Sequence, residues 1–194
     1  MNEFLIYFKM GFDHISDLQG FDHMLFIVVL CAIYTLDDWK KVSFLITAFT
    51  IGHSITLALS SFKIISVNPS LVEVLIPCTI LFTSLNNLVL NAKYKGSNVK
   101  ANYLLALFFG FIHGMGFSNY FNALMIDSMN ILFPLFSFNL GLEIGQLMII
   151  FVFFLCYFLA HKFFKINQHS WTIILSGAGG VLALVMIIDN LTQK

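Results

Sequence analysis

The sequence contains no arginine, and only 10% of its 194 residues are charged. A soluble domain has about 25% charged residues, because water must solvate its surface. The ten basic residues are lysines scattered along the chain, so the clustered basic face typical of nucleic-acid-binding proteins is missing. These shortages exclude an ordinary soluble domain and argue against a nucleic-acid partner.

Cysteine is scarce as well. The three cysteines lie singly in apolar stretches, without a CxxC pair: Cys31, Cys78 and Cys156. This pattern predicts buried apolar side chains rather than disulfides or metal ligands. The eight methionines form no MxxM cluster, which gives little support to a Cu(I) pathway.

Apolar residues are abundant: 59% of the chain is hydrophobic, and the mean hydropathy is +0.89. A transmembrane helix needs about 20 mostly apolar residues. Six stretches reach or approach this length, at about 21–36, 42–62, 70–90, 101–125, 131–164 and 171–188. We therefore predict an all-α transmembrane helical bundle, a single domain over residues 1–194, in the lipid bilayer of a bacterial inner (cytoplasmic) membrane.

Some details of the bundle stay open. The N-terminal segment is predicted to be interfacial or half-inserted, or to form a seventh membrane element. The stretch 131–164 is too long for one straight crossing, so it tilts or begins partly unwound between 134 and 145. The glycines at 110, 114 and 116 either pack closely against another helix or unwind their own. A homo-oligomer is also left open.

The lysines predict the orientation of the bundle, because cytoplasmic loops carry an excess of basic residues. The loops after the first, third and fifth stretches hold seven lysines. The opposite side holds three, which are Lys9, Lys63 and Lys194. This difference predicts that both termini lie on the non-cytoplasmic side.

Ionisable side chains within a membrane are costly and usually functional. With a rise of about 1.5 Å per residue, four histidines fall at a similar depth, in the half nearer the termini: His14, His23, His53 and His113. Asp22, Glu143 and Gln146 share that half, and Glu73 lies near its surface. The opposite half is poorer in polar side chains, the main ones being Asn86 and Asn87.

Imidazole and carboxylate groups are the ligands of Zn²⁺, Ni²⁺, Co²⁺ and Cu²⁺. The alternative is that each histidine only makes hydrogen bonds between helices. Asp22 and His23 diverge by about 100° on a helix, so one would bind an ion while the other orients a second ligand. His161 and His169 flank a loop and are predicted to be solvated.

The order of the polar motifs resembles the HupE/UreJ family of membrane proteins. The matching motifs are GFDHI at 11–15, GFDHMLF at 20–26, TAFTIGHSITL at 47–57, EVLI at 73–76, the asparagine pair at 86–87, FGFIHGMGF at 109–117 and FNLGLEIGQ at 138–146. The resemblance implies a helical bundle and, for the better-known members, nickel or cobalt uptake linked to hydrogenase and urease maturation. It also implies that the family's polar signature positions are His14, Asp22, His23, His53, His113 and Glu143.

The leading hypothesis is a permease for a divalent transition metal, which would enter at the histidines and leave near Asn86 and Asn87. The second is an intramembrane zinc-dependent hydrolase, with Glu143 as general base. The chain has no HExxH motif, so the usual zinc-protease signature is missing. A third hypothesis is a metal sensor or assembly partner without flux.

Overall fold

A computed structural model describes residues 2–18, 20–90, 99–124 and 131–192. These ranges contain seven α-helices, one short 3-10 helix (Leu36–Asp38) and no β-strand. The α-helices are α1 (Glu3–Ser16), α2 (Asp22–Cys31), α3 (Trp39–Ser61), α4 (Pro69–Leu90), α5 (Val99–Leu124), α6 (Leu132–Phe164) and α7 (Gln168–Thr192). The predicted all-α helical bundle is confirmed.

Five of the helices, α3 to α7, are long and apolar enough to cross a membrane. Their bounds agree with the last five predicted stretches to within a few residues. The first predicted stretch, 21–36, is wrong in extent. Its helix, α2, has only 10 residues, and at about 1.5 Å per residue it spans about 15 Å, half of a hydrocarbon core.

Side chains from other helices explain how α2 can end inside an apolar bundle. The last carbonyls of a helix have no partner within the helix, and lipid supplies none. Asn87 Nδ2 of α4 donates to Val29 O at 2.7 Å. Thr172 Oγ1 and Gln168 Nε2 of α7 donate to Ala32 O at 2.7 and 3.0 Å. The end of α2 is therefore satisfied by tertiary hydrogen bonds.

The N-terminal segment forms α1, which runs parallel to the first part of α6. Phe4 contacts Phe133, with ring centroids 6.5 Å apart. Further along both helices, the backbone of Gly141 lies against Phe8, and that of Gly145 lies against Ile15. Because the end of α2 contacts Asn87, near the end of α4, we interpret α1 and α2 as two halves of one interrupted crossing.

Glycines bring α3 and α5 into backbone contact. A Cβ atom on Gly52 would overlap the carbonyl group of Leu107, and one on Gly110 would overlap that of Phe49. One on Gly114 would meet the backbone of His53. The glycines of α5 are therefore packing residues in a continuous helix, as close helix–helix contacts in membranes require. The alternative of an unwound segment is wrong here, and wrong also for α6, which is helical from Leu132 to Phe164.

Both ends of the described chain lie at one end of the bundle, here called the terminal end. The start of α1 contacts the start of α6 through Phe4 and Phe133. Near the end of α7, Asn190 Nδ2 donates to Glu73 O at 2.6 Å, close to the start of α4. The carbonyl of Glu73 is free to accept because Pro77, four residues on, has no N–H group. Which membrane surface the terminal end faces stays a prediction.

The three cysteines are free thiols in different surroundings. Cys31 is buried, as predicted, and Cys78 is half-buried. Cys156 is exposed on α6, so the prediction of burial is wrong at this position. The neighbouring Leu155 and Phe158 are 44% and 45% exposed, so this thiol belongs to a face of α6 that suits lipid.

Candidate metal centre

Four histidines from four helices meet in the interior. His14 lies near the end of α1, His23 at the start of α2, and His53 and His113 lie within α3 and α5. The His23 ring is central: its centroid lies 4.6 Å from His14, 4.9 Å from His113 and 6.1 Å from His53. His53 and His113 are 0% exposed and His23 is 5% exposed. The interruption between α1 and α2 therefore brings two histidines from one crossing into the bundle.

Three of these histidines have the geometry of a metal-ligand set. His14, His23 and His53 each offer a ligand atom, and these atoms all lie within 4.8 Å of one another. His14 Nε2, His23 Nε2 and both ring nitrogens of His53 are buried without a hydrogen-bond partner. Buried polar groups in proteins are nearly always paired. Unpaired imidazole nitrogens facing one another fit a divalent transition metal, which binds such nitrogens at about 2.0–2.1 Å.

Asp22 contacts the ring of its neighbour. Asp22 Oδ1 lies 2.9 Å from His23 Nδ1 and also accepts from the His23 backbone N–H at 2.8 Å. A carboxylate at Nδ1 favours the tautomer that leaves the lone pair on Nε2. Asp22 therefore stands as the orienting partner of His23, and His23 Nε2 stays available for an ion.

His113 adjoins His23 but is not a member of the three-histidine ligand set. Its Nε2 lies 3.0 Å from Thr79 Oγ1 on α4, and its Nδ1 is buried without a partner. The Thr79 contact was missed by the sequence analysis. No sequence signal could have found it, because hydroxyl residues are common in membrane helices and their partners depend on helix packing.

The remaining polar residues lie around this centre in separate contacts. Glu143 Oε1 accepts a hydrogen bond from Thr47 Oγ1 at 2.9 Å, and Gln146 Oε1 accepts one from Thr50 Oγ1 at 2.8 Å. Both bonds join α3 to α6. Glu143 is not a member of the three-histidine ligand set. His161 and His169 are exposed, as predicted.

Two cavities reach the histidines from the terminal end, and His14 lines both. The smaller one, about 250 Å³, is also lined by His23 and by the acidic residues Asp17, Asp22 and Glu73. The larger one, about 840 Å³, has the ion-paired Lys9 and Asp13 on its wall. Negative charge lining a cleft raises the local concentration of cations. The histidine set is therefore open to a hydrated cation from this end.

Three phenylalanines close the other side of the centre. The rings of Phe26 and Phe49 stack at 5.1 Å, and each lies about as far from the His113 ring, at 5.0 and 5.1 Å. Phe109 packs edge-on against Phe26 at 5.8 Å. Phe26, Phe49 and Phe109 are here called the aromatic layer. Beyond it lies a small pocket of about 30 Å³, lined by apolar side chains together with Asn86, Asn87, Asn102 and Tyr34.

These features define a class: a helical integral membrane protein with a buried histidine cluster suited to a transition metal. Comparison with protein families makes the assignment specific, since the family described as HupE / UreJ protein matches residues 1–190. The chain therefore belongs to the HupE/UreJ family, as the motifs predicted. No curated protein and no solved structure matches the chain.

Proposed function

We propose that this protein is a permease for a divalent transition-metal ion, with nickel or cobalt as its substrate. The observation that carries the proposal is the set of unpaired, buried imidazole nitrogens on His14, His23 and His53. Membership of the HupE/UreJ family supports a role related to nickel and cobalt transport. The apolar helices support a place in the lipid bilayer, and we propose the bacterial inner membrane.

The proposed path begins at the terminal end. A hydrated ion enters the acid-lined cavity, exchanges water for imidazole at His14 and binds between His23 and His53. His113 lies next to His23, at 4.9 Å between ring centroids. The ion then passes the aromatic layer towards the pocket that holds Asn86 and Asn102. Because the layer is packed, this step requires Phe26 or Phe49 to move.

Residue chemistry limits the substrate to borderline-soft cations. Imidazole suits Ni²⁺, Co²⁺, Zn²⁺ and Cu²⁺, whereas Mg²⁺ and Ca²⁺ need oxygen ligands. Affinity alone would favour Ni²⁺ and Cu²⁺ over Co²⁺. Conduction also requires that the ion be released, and a stepwise path past His14, His23 and His113 divides the release into smaller steps.

The alternative is an intramembrane zinc hydrolase, with Glu143 as the candidate general base. A zinc hydrolase needs a carboxylate beside the metal-bound water to act as general base. Glu143 accepts a hydrogen bond from Thr47, which holds its carboxylate at the contact between α3 and α6. A sensor would bind the ion at the same histidines without carrying it past the aromatic layer. Flux is therefore the property to measure.

The test is uptake of Ni²⁺ and Co²⁺ into proteoliposomes by native protein, by His53→Ala and by His169→Ala. His53 is completely buried in the ligand set, whereas His169 is exposed at the start of α7. We expect saturable uptake by native protein and by His169→Ala. In His53→Ala we expect a loss of at least about tenfold, since the loss of an outer-shell partner alone typically costs 10- to 100-fold in affinity or activity. Tight, stoichiometric binding without uptake would refute the permease.

A further inference from the structure

We infer that Thr79 is a positioning residue that fixes the tautomer of His113 and thereby makes His113 Nδ1 a fourth metal-binding nitrogen. The inference rests on the proposed metal-binding function and extends it to a residue of α4. Thr79 does not contact the three-histidine set itself. It acts through the His113 ring, which adjoins His23.

The hydroxyl of Thr79 has one hydrogen, and that hydrogen is already used. Thr79 Oγ1 donates to the backbone carbonyl of Ile76 at 2.7 Å. With its hydrogen on that carbonyl, the same oxygen accepts from His113 Nε2–H, 3.0 Å away. The proton of neutral His113 then lies on Nε2, and the lone pair lies on Nδ1. A hydroxyl that bound no carbonyl could donate instead and would leave the tautomer undetermined.

The surroundings of His113 leave Nδ1 no other partner among the described residues. The ring is 0% exposed. Phe26 and Phe49 pack against it with centroids at 5.0 and 5.1 Å and offer no hydrogen-bonding group. Nδ1 is buried and unpaired, and such a group is destabilising unless something binds it. The neighbour with the same property is His23, whose Nε2 is also buried and unpaired.

Two histidines in the centre thus have an orienting partner on one nitrogen and an unpaired second nitrogen. For His23 the partner is the Asp22 carboxylate, and for His113 it is the Thr79 hydroxyl. Metal-bound histidines in proteins almost always show this arrangement, and loss of the outer partner typically costs 10- to 100-fold in metal affinity or activity. A histidine that serves only to join helices has no need of an unpaired buried nitrogen.

The test compares three variants of α4. Thr79→Val keeps the branched shape and removes the hydroxyl, Thr79→Ser keeps the hydroxyl, and Thr83→Val is the matched control. Thr83 lies one turn further along α4, is 6% exposed and donates to Thr79 O at 2.8 Å. The Thr83→Val variant therefore removes a similar buried hydroxyl, but one that does not contact an imidazole. Ni²⁺ affinity is measured by calorimetry on purified full-length protein. We expect Thr79→Val to bind about 10- to 100-fold more weakly, with native-like affinity in the other two.

A second measurement separates orientation from stability. Long-range ¹H–¹⁵N spectra of metal-free protein with ¹⁵N-labelled histidine report which ring nitrogen of His113 carries the proton. The His113 signals are assigned by comparison with His113→Gln. We expect a single Nε2–H tautomer in native protein and in Thr79→Ser, and a mixture in Thr79→Val. Native protein with the proton on Nδ1, or native affinity in Thr79→Val, would overturn the inference.

The two readouts also distinguish this inference from the proposed function. If native protein binds Ni²⁺ without transporting it, the permease fails while the role of Thr79 in affinity can still be confirmed. If native protein binds no Ni²⁺ and no Co²⁺, both fail. If Thr79→Val and Thr83→Val lose affinity equally, Thr79 contributes only to the stability of α4 and the inference is wrong.

Discussion

At the scale of single residues, the Asp22 carboxylate has two roles that depend on different atoms of the same neighbour. It accepts from the His23 backbone N–H, which helps to begin α2, and it contacts His23 Nδ1. Asp22 is half-buried, so its charge is only partly screened by water. A negative charge at Nδ1 strengthens the ligand character of Nε2. The carboxylate is therefore expected to matter for ion affinity even where it binds no ion itself.

We predict that Asp22→Asn weakens Ni²⁺ binding by about tenfold, the low end of the range for outer-shell partners, because the amide oxygen can still accept but carries no charge. The measurement is calorimetric titration of purified protein. Asp37→Asn is the control, since Asp37 is exposed at the opposite end of the bundle. Equal affinity in native protein and Asp22→Asn would mean that the Asp22–His23 contact serves only the start of α2.

The residues of the centre differ in how far the sequence can identify them. The four histidines and Asp22 stand out because ionisable groups are rare in apolar stretches. Depth along a helix is also easily estimated, but rotation about its axis is not. Glu143 shares the depth of the histidines and yet contacts Thr47. Thr79 gave no signal, because its partner depends on how α4 and α5 pack.

At the scale of helices, close packing of α3 against α5 holds His53 beside His113. Gly110 lies against the backbone of Phe49, where a Cβ atom would overlap the carbonyl group. We predict that Gly110→Ala is destabilising by about 1–3 kcal/mol, the usual cost of overpacking, which outweighs the gain of about 1 kcal/mol in helix propensity. Thermal unfolding in detergent measures the effect.

Gly177 supplies the matched control for that prediction. It lies within α7, and a Cβ atom there would meet nothing within 4 Å. Gly177→Ala should therefore raise the unfolding temperature or leave it unchanged, since only the propensity gain remains. Gly110→Ala should thus lower the stability, whereas Gly177→Ala should not. A Gly110→Ala protein as stable as Gly177→Ala would contradict the close contact between α3 and α5.

The interrupted crossing is the element that the sequence could not reveal. The sequence is mostly apolar from residue 21 to residue 36, and this pattern predicts a single membrane-spanning helix there. The end of α2 is held by tertiary contacts: Asn87 and Thr172 donate to the carbonyls of Val29 and Ala32. The five long spans could be predicted because their lengths match the bilayer. The stop inside α2 depends on partners more than 50 residues away along the chain.

At the scale of the whole molecule, the centre is open towards one end and closed towards the other. Acidic residues and His14 line the cavity at the terminal end. The aromatic layer lies between the histidines and the small pocket near Asn102. This asymmetry means that the membrane side faced by the terminal end decides which ions reach the centre. Seven lysines against three predict that it is the non-cytoplasmic side.

Thiol labelling of intact cells tests that orientation. In a background with Cys31, Cys78 and Cys156 replaced by alanine, single cysteines are introduced as Asn119→Cys or Asp37→Cys. Asn119 lines the acidic cavity, and Asp37 is exposed at the opposite end. We expect a membrane-impermeant maleimide to label Asn119→Cys in cells made permeable only at the outer membrane, and to label Asp37→Cys only after lysis. The reverse pattern would place the acidic cavity in the cytoplasm, so the same centre would collect ions for export, and uptake could not be its function.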